Sequence, residues 1–103
     1  MSFVSVQPDM LVTVAGDLAS TGSALSAQNA AAASPTVGMV PAAADEVSAL
    51  TAAHFTAHAQ SYQAVSAQAA AIHDQFVAVL TSNAHSYADT EAANATAAAL
   101  GGA

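Results

Sequence analysis

The chain has 103 residues, room for one small domain, with seven acidic side chains, no lysine or arginine, and a formal net charge of -7. Phosphate-backbone binding draws its affinity from lysine and arginine, so nucleic acid is excluded as a partner, and an anionic membrane surface would repel the chain. Cysteine is absent, which removes disulfides, thiolate zinc sites and cysteine nucleophiles; 54% of residues are apolar and only 7% charged. Much of that apolar fraction is alanine, the strongest helix former and the one with least surface to bury, so the composition predicts helix with a thin core.

Polar residues interrupt every stretch that approaches the roughly 18 apolar residues of a membrane span. The start, Met1 to Pro8, has neither a basic region nor an apolar run of the length a cleaved signal peptide needs, and export by that route is not expected. Pro8 suits the first turn of a helix, where its missing N–H costs nothing, and Asp9 follows at the positive end of the helix dipole. Leu11, Val14, Leu18, Leu25 and Ala32 then recur at sums of three and four, with Thr21 or Gly22 between Leu18 and Leu25, which is one helical stripe. Ser34 to Pro41 combines two prolines and a glycine, so the first helix is expected over about residues 8–33.

A second helix is expected over about 42–83, opening with Asp45 and Glu46, whose place in the first turn fits dipole complementation better than paired acid/base chemistry. Val47, Leu50, His54, His58, Tyr62, Val65, Ala69, Ile72, Phe76, Val79 and Asn83 follow at steps of three or four, and neither glycine nor proline interrupts the chain from Ala42 to Gly101. Large apolar residues then thin out until Leu100, so 84–103 is expected to be a flexible tail beyond a hairpin domain at 1–83. The fold class that results is all-α, an antiparallel two-helix hairpin.

Such a hairpin has a deficit. Ordering costs about 1 to 2 kcal/mol per residue, burial returns about 25 cal/mol per Å² of apolar surface, and alanine supplies little of it. Phe55, Ile72, Phe76, Val77, Val79 and Leu80 spread over more than one narrow stripe, so two helices alone would leave part of this set in water. A partner contributing two more helices would complete a four-helix bundle. The expected partner interface is Leu11, Val14, Leu18, Leu25, Val47, Leu50, Phe55, Tyr62, Val65, Ile72, Phe76, Val79 and Leu80. Of these, Leu18, Leu25, Leu50, Phe55, Val65, Ile72 and Phe76 are expected to face the bundle seam.

No catalytic constellation accompanies this pattern. Serine is plentiful, yet neither a G-x-S-x-G elbow nor S-x-x-K occurs, and a hairpin encloses no pocket for a triad. His54 and His58 have metal-ligand spacing but lack the glutamate of a metalloprotease helix and a nearby third ligand, so they read as amphipathic side chains flanking the seam. His73 and Asp74 diverge by about 100° as helical neighbours, and His85 reads as a solvated or C-terminal dipole contact. No cofactor and no small-molecule substrate is expected.

The opening Met1-Ser2-Phe3-Val4, the Pro8-Asp9 dipeptide, the block from Val40-Pro41 through Asp45-Glu46 to Leu50, and the run Tyr62-Gln63-Ala64-Val65-Ser66-Ala67-Gln68-Ala69 resemble the PE domain of the mycobacterial PE/PPE families over essentially the whole chain. The family's Pro-Glu is Pro8-Asp9 here, which keeps a carboxylate at the helix N-terminus. The chain stops where the family's conserved domain stops and looks like a short, PE-only member.

The resemblance implies an obligate heterodimer with a PPE protein and export by a type VII secretion system to the cell envelope or medium. It further implies a cytosolic stage in which the system's chaperone binds the PPE subunit. The family's export signal, Tyr-x-x-x-Asp/Glu after the second helix, is matched by Tyr87 and Glu91. Two other readings compete: an alanine-rich structural or surface-adsorbing helix, which calls for a face of fixed period that is absent here, and a self-associating helical bundle.

Overall fold

The structure, a computed structural model, describes residues 6–101; the opening Met1 to Val4 lies outside the described residues. The described residues form two helices packed as a hairpin and contain no strand: α1 spans Pro8–Val37 and α2 spans Glu46–Gly101. Pro8 opens α1 as its sequence position predicts, and the Met10 N–H donates to the Gln7 carbonyl at 3.1 Å. Asp45 caps α2: its Oδ1 accepts from the Ser48 N–H at 2.7 Å and its Oδ2 from the Ser48 hydroxyl at 3.2 Å.

Both helices run further than the sequence suggests. α1 passes through Pro35 to Val37 instead of ending near Ala33. Ala31, whose carbonyl loses its partner at Pro35, is exposed and can be hydrated, while the Thr36 hydroxyl donates to the Ala32 carbonyl at 2.6 Å and the Gly38 N–H to the Ser34 carbonyl at 2.9 Å. α2 starts at Glu46, four residues after the expected start, because Asp45 supplies the cap, and it continues past Asn83 to Gly101. Alanine propensity sustains those last turns without any burial: every described residue from His85 onward is exposed.

Contacts divide the chain into two units, each pairing a piece of α1 with a piece of α2. In the unit from Thr21 to His73, the Tyr62 hydroxyl donates to Asn29 Oδ1 at 2.9 Å and Gln63 Nε2 donates to the Asn29 carbonyl at 3.0 Å. At the end of that unit the His73 ring lies over Gly22, so closely that a Cβ on Gly22 would sit 2.6 Å from it. These pairings run antiparallel. Ala52 and Ala59 are the buried residues of this unit. In the unit joining the residues up to Ser20 with those from Asp74 onward, the buried residues are Ala15 and Ala84.

The less exposed positions of α2 include its seam: Ala52, Thr56, Ala59, Gln63, Ser66, Ala70 and His73 in the first of these units, and Val77, Leu80 and Ala84 in the second, at alternating steps of four and three. That mean spacing of 3.5 is the coiled-coil repeat, and small residues at it let two backbones approach closely. Leu18 is half-buried, and Leu25, Leu50, Phe55, Val65, Ile72 and Phe76 are between 56% and 66% exposed, so within the hairpin itself these large side chains stand open. His54 and His58 are likewise exposed, and His58 stands next to the seam residue Ala59.

Candidate partner-binding surface

The residues left open are not scattered. His58, Tyr62, Val65, Ala69, Ile72, Phe76, Val79 and Asn83 each stand one residue before a seam position of α2. At 3.6 residues per turn, one residue is a rotation of about 100°, so this set forms a second stripe flanking the seam, tied to α1 through the Tyr62 hydroxyl on Asn29. In the Thr21–His73 unit it presents Phe55, Tyr62, Val65 and Ile72 to solvent. In the other unit it presents Phe76 and Val79, and Val14 of α1 is also exposed there. Leu11, Leu18 and Leu80 are half-buried and so serve the hairpin itself.

The connection between the helices adds apolar surface that the sequence reading missed. Met39, Val40, Val47 and Phe55 line a shallow groove together with Ala52, and Val40 is 80% exposed. A neighbouring groove brings Met39, Phe55, His58 and Tyr62 beside Asn29 and Thr36. Met39 and Val40 lie between the two prolines, outside any helical period, so periodicity alone carries no signal for them.

Among the described residues the buried hydrophobic side chains are four alanines, while several aromatic and branched side chains stand in water.

Tyr87 and Glu91 lie one turn apart on α2, both exposed, and Asp89 is exposed about 200° round the helix from Tyr87. Pro8 and Asp9 occupy the first turn of α1, where the Asp9 carbonyl accepts from the Thr13 hydroxyl at 3.0 Å. Among the described residues, no group of three or more His, Cys, Asp or Glu side chains is placed to hold a metal ion, and no helix is long and apolar enough to cross a membrane.

The fold and its exposed stripe thus define a class, an all-α hairpin that leaves its largest apolar side chains outside its own core. The PE family model matches residues 4–94, and the chain belongs to the PE family. It is 67% identical over 98 residues to PE family protein PE13 of Mycobacterium tuberculosis, covering 95% of this chain and 99% of that protein. It is also 58% identical over 97 residues to the uncharacterized PE-PGRS family protein PE_PGRS34 and 59% identical over 95 residues to PE-PGRS family protein PE_PGRS33, both of the same species. Those matches cover 94% and 92% of this chain but only 19% of each of those longer proteins.

Proposed function

We propose that this PE protein is a non-enzymatic binding subunit, the obligate partner of a PPE protein, exported with it by a type VII secretion system to the cell envelope or medium. The stripe on α2 carries the reading: Tyr62, Val65, Ile72, Phe76 and Val79 are each at least half exposed while the adjacent seam is closed by alanines. A partner helix pair laid along that stripe would turn the hairpin into a four-helix bundle and bury what the chain alone cannot. The system's cytosolic chaperone would engage through the PPE subunit, and Tyr87 with Glu91 would serve as the export signal.

Charge favours a partner of different composition over a second copy. Self-association would bring seven more carboxylates and no lysine or arginine to pair with them. Co-expression with a PPE protein is expected to give a one-to-one complex with a cooperative melt, where the chain alone is poorly soluble or partly unfolded. Sedimentation and thermal melting decide it. A monodisperse monomer that melts cooperatively at high temperature, unaffected by the partner, would defeat the reading; a homodimer of the chain alone would support the self-associating alternative.

A further inference from the structure

We propose that His54 and His58 form a two-ligand site for a divalent transition-metal ion of the class that prefers imidazole, Zn²⁺, Cu²⁺ or Ni²⁺. The two residues stand one turn apart on α2, well inside a continuous helix, which sets their Cβ atoms about 5 to 6 Å apart on one face. Both side chains are exposed, and both line a single surface groove with Thr51 and Phe55. Among the described residues neither imidazole has a hydrogen-bond or ion-pair partner, so each ring keeps a nitrogen lone pair free to ligate. His73, by contrast, packs over Gly22 and is engaged within the hairpin.

Electrostatics favours a cation here. The chain has no lysine or arginine to repel one and carries a net charge of -7. The protein supplies two nitrogen ligands and no third His, Cys, Asp or Glu, so the remaining positions fall to water or to an external donor. Hard cations such as Mg²⁺ and Ca²⁺ require oxygen ligands and are not expected to bind. His58 and Phe55 also belong to the stripe read as the partner's seat, so the metal is titrated on the chain alone, where that stripe is open.

The test is calorimetric titration of the untagged full chain with ZnCl₂, CuCl₂, NiCl₂ and MgCl₂, with helicity followed by circular dichroism. The expected result is one transition-metal ion per chain, increased helicity on binding, and no response to Mg²⁺. His54→Ala and His58→Ala should each weaken binding by about tenfold or more, since a single imidazole cannot chelate. The double variant His54→Ala/Gln60→His keeps two histidines but places them about 200° apart on the helix, and it should bind as weakly as the single variants. His85→Ala should leave the titration unchanged. Absence of binding, undiminished affinity in either single variant, or full affinity in the double variant would each overturn the site.

Discussion

Gly22 and Gly16 occupy the same helix, yet the structure gives them different surroundings. Around Gly16 no atom lies within 4 Å of a built Cβ, and its φ is ordinary, so Gly16→Ala should raise stability by about 0.5 to 1 kcal/mol through helix propensity. At Gly22 the same methyl would meet the His73 ring at 2.6 Å. The atoms met are the far end of the His73 side chain, so the ring must shift aside, and Gly22→Ala should gain less thermal stability than Gly16→Ala. The collision is mutual, so Gly22→Ala should gain more in a His73→Ala background, and a double-mutant cycle on the melting transitions reads the coupling. A cycle without coupling would show that the ring does not rest on Gly22. From sequence alone Gly22 was only a gap filler between Leu18 and Leu25, because nothing local reveals which side chain crosses it.

Within α2, burial does not follow side-chain size. Ala84 is fully buried and Phe76 is 56% exposed, the reverse of what residue size suggests. Ala84→Leu should therefore destabilise the hairpin by about 1 to 3 kcal/mol, because a close-packed alanine seam has no room for the added methylenes. Phe76→Ala should change the chain's own stability by less than about 1 kcal/mol, far below the 3 to 5 typical of a buried phenylalanine, and should abolish co-purification with the partner. Phe55→Asp should also abolish it, whereas Gln68→Ala, exposed and off the stripe, should not. Equal pull-down yields from all three variants would remove the stripe as the interface. The period of this helix was legible from its large side chains. Its phase was not, since the alanines that mark the seam are indistinguishable from those that fill the rest of the chain.

At the scale of the whole molecule, the turns of α2 beyond Ala84 bury nothing, so their chemistry is free for recognition. Tyr87 and Glu91 share a face there while Asp89 points away, and each can be altered without disturbing the seam. Tyr87→Ala or Glu91→Ala should leave complex formation in the cytosol normal and block secretion of both partners, and Asp89→Ala should be tolerated. Comparison of culture filtrate with cell lysate checks this. Undiminished secretion of the Tyr87 and Glu91 variants, or their failure to bind the partner, would refute the assignment. The spacing itself was plain in the sequence; that it sits on ordered helix was not, because a polar, alanine-rich tail has the composition of a segment without a core.

The sequence by itself determined the helical class, the N-terminus of each helix to within a few residues, and the excess of apolar surface, because these follow from propensity, caps and composition, which are local or additive. Pro8 could be placed that way since it acts on backbone groups within one turn of itself, whereas Asp45, expected inside the first turn of α2, is instead the cap that precedes it. Only the tertiary structure decided which stripe meets α1. Two periodic sets lie one residue apart along α2, one carrying most of the large apolar side chains and one whose buried members are alanines, and both satisfy the helical period. The choice between them is a property of the pair of helices and not of either one, since burial needs the facing surface that only the other helix supplies.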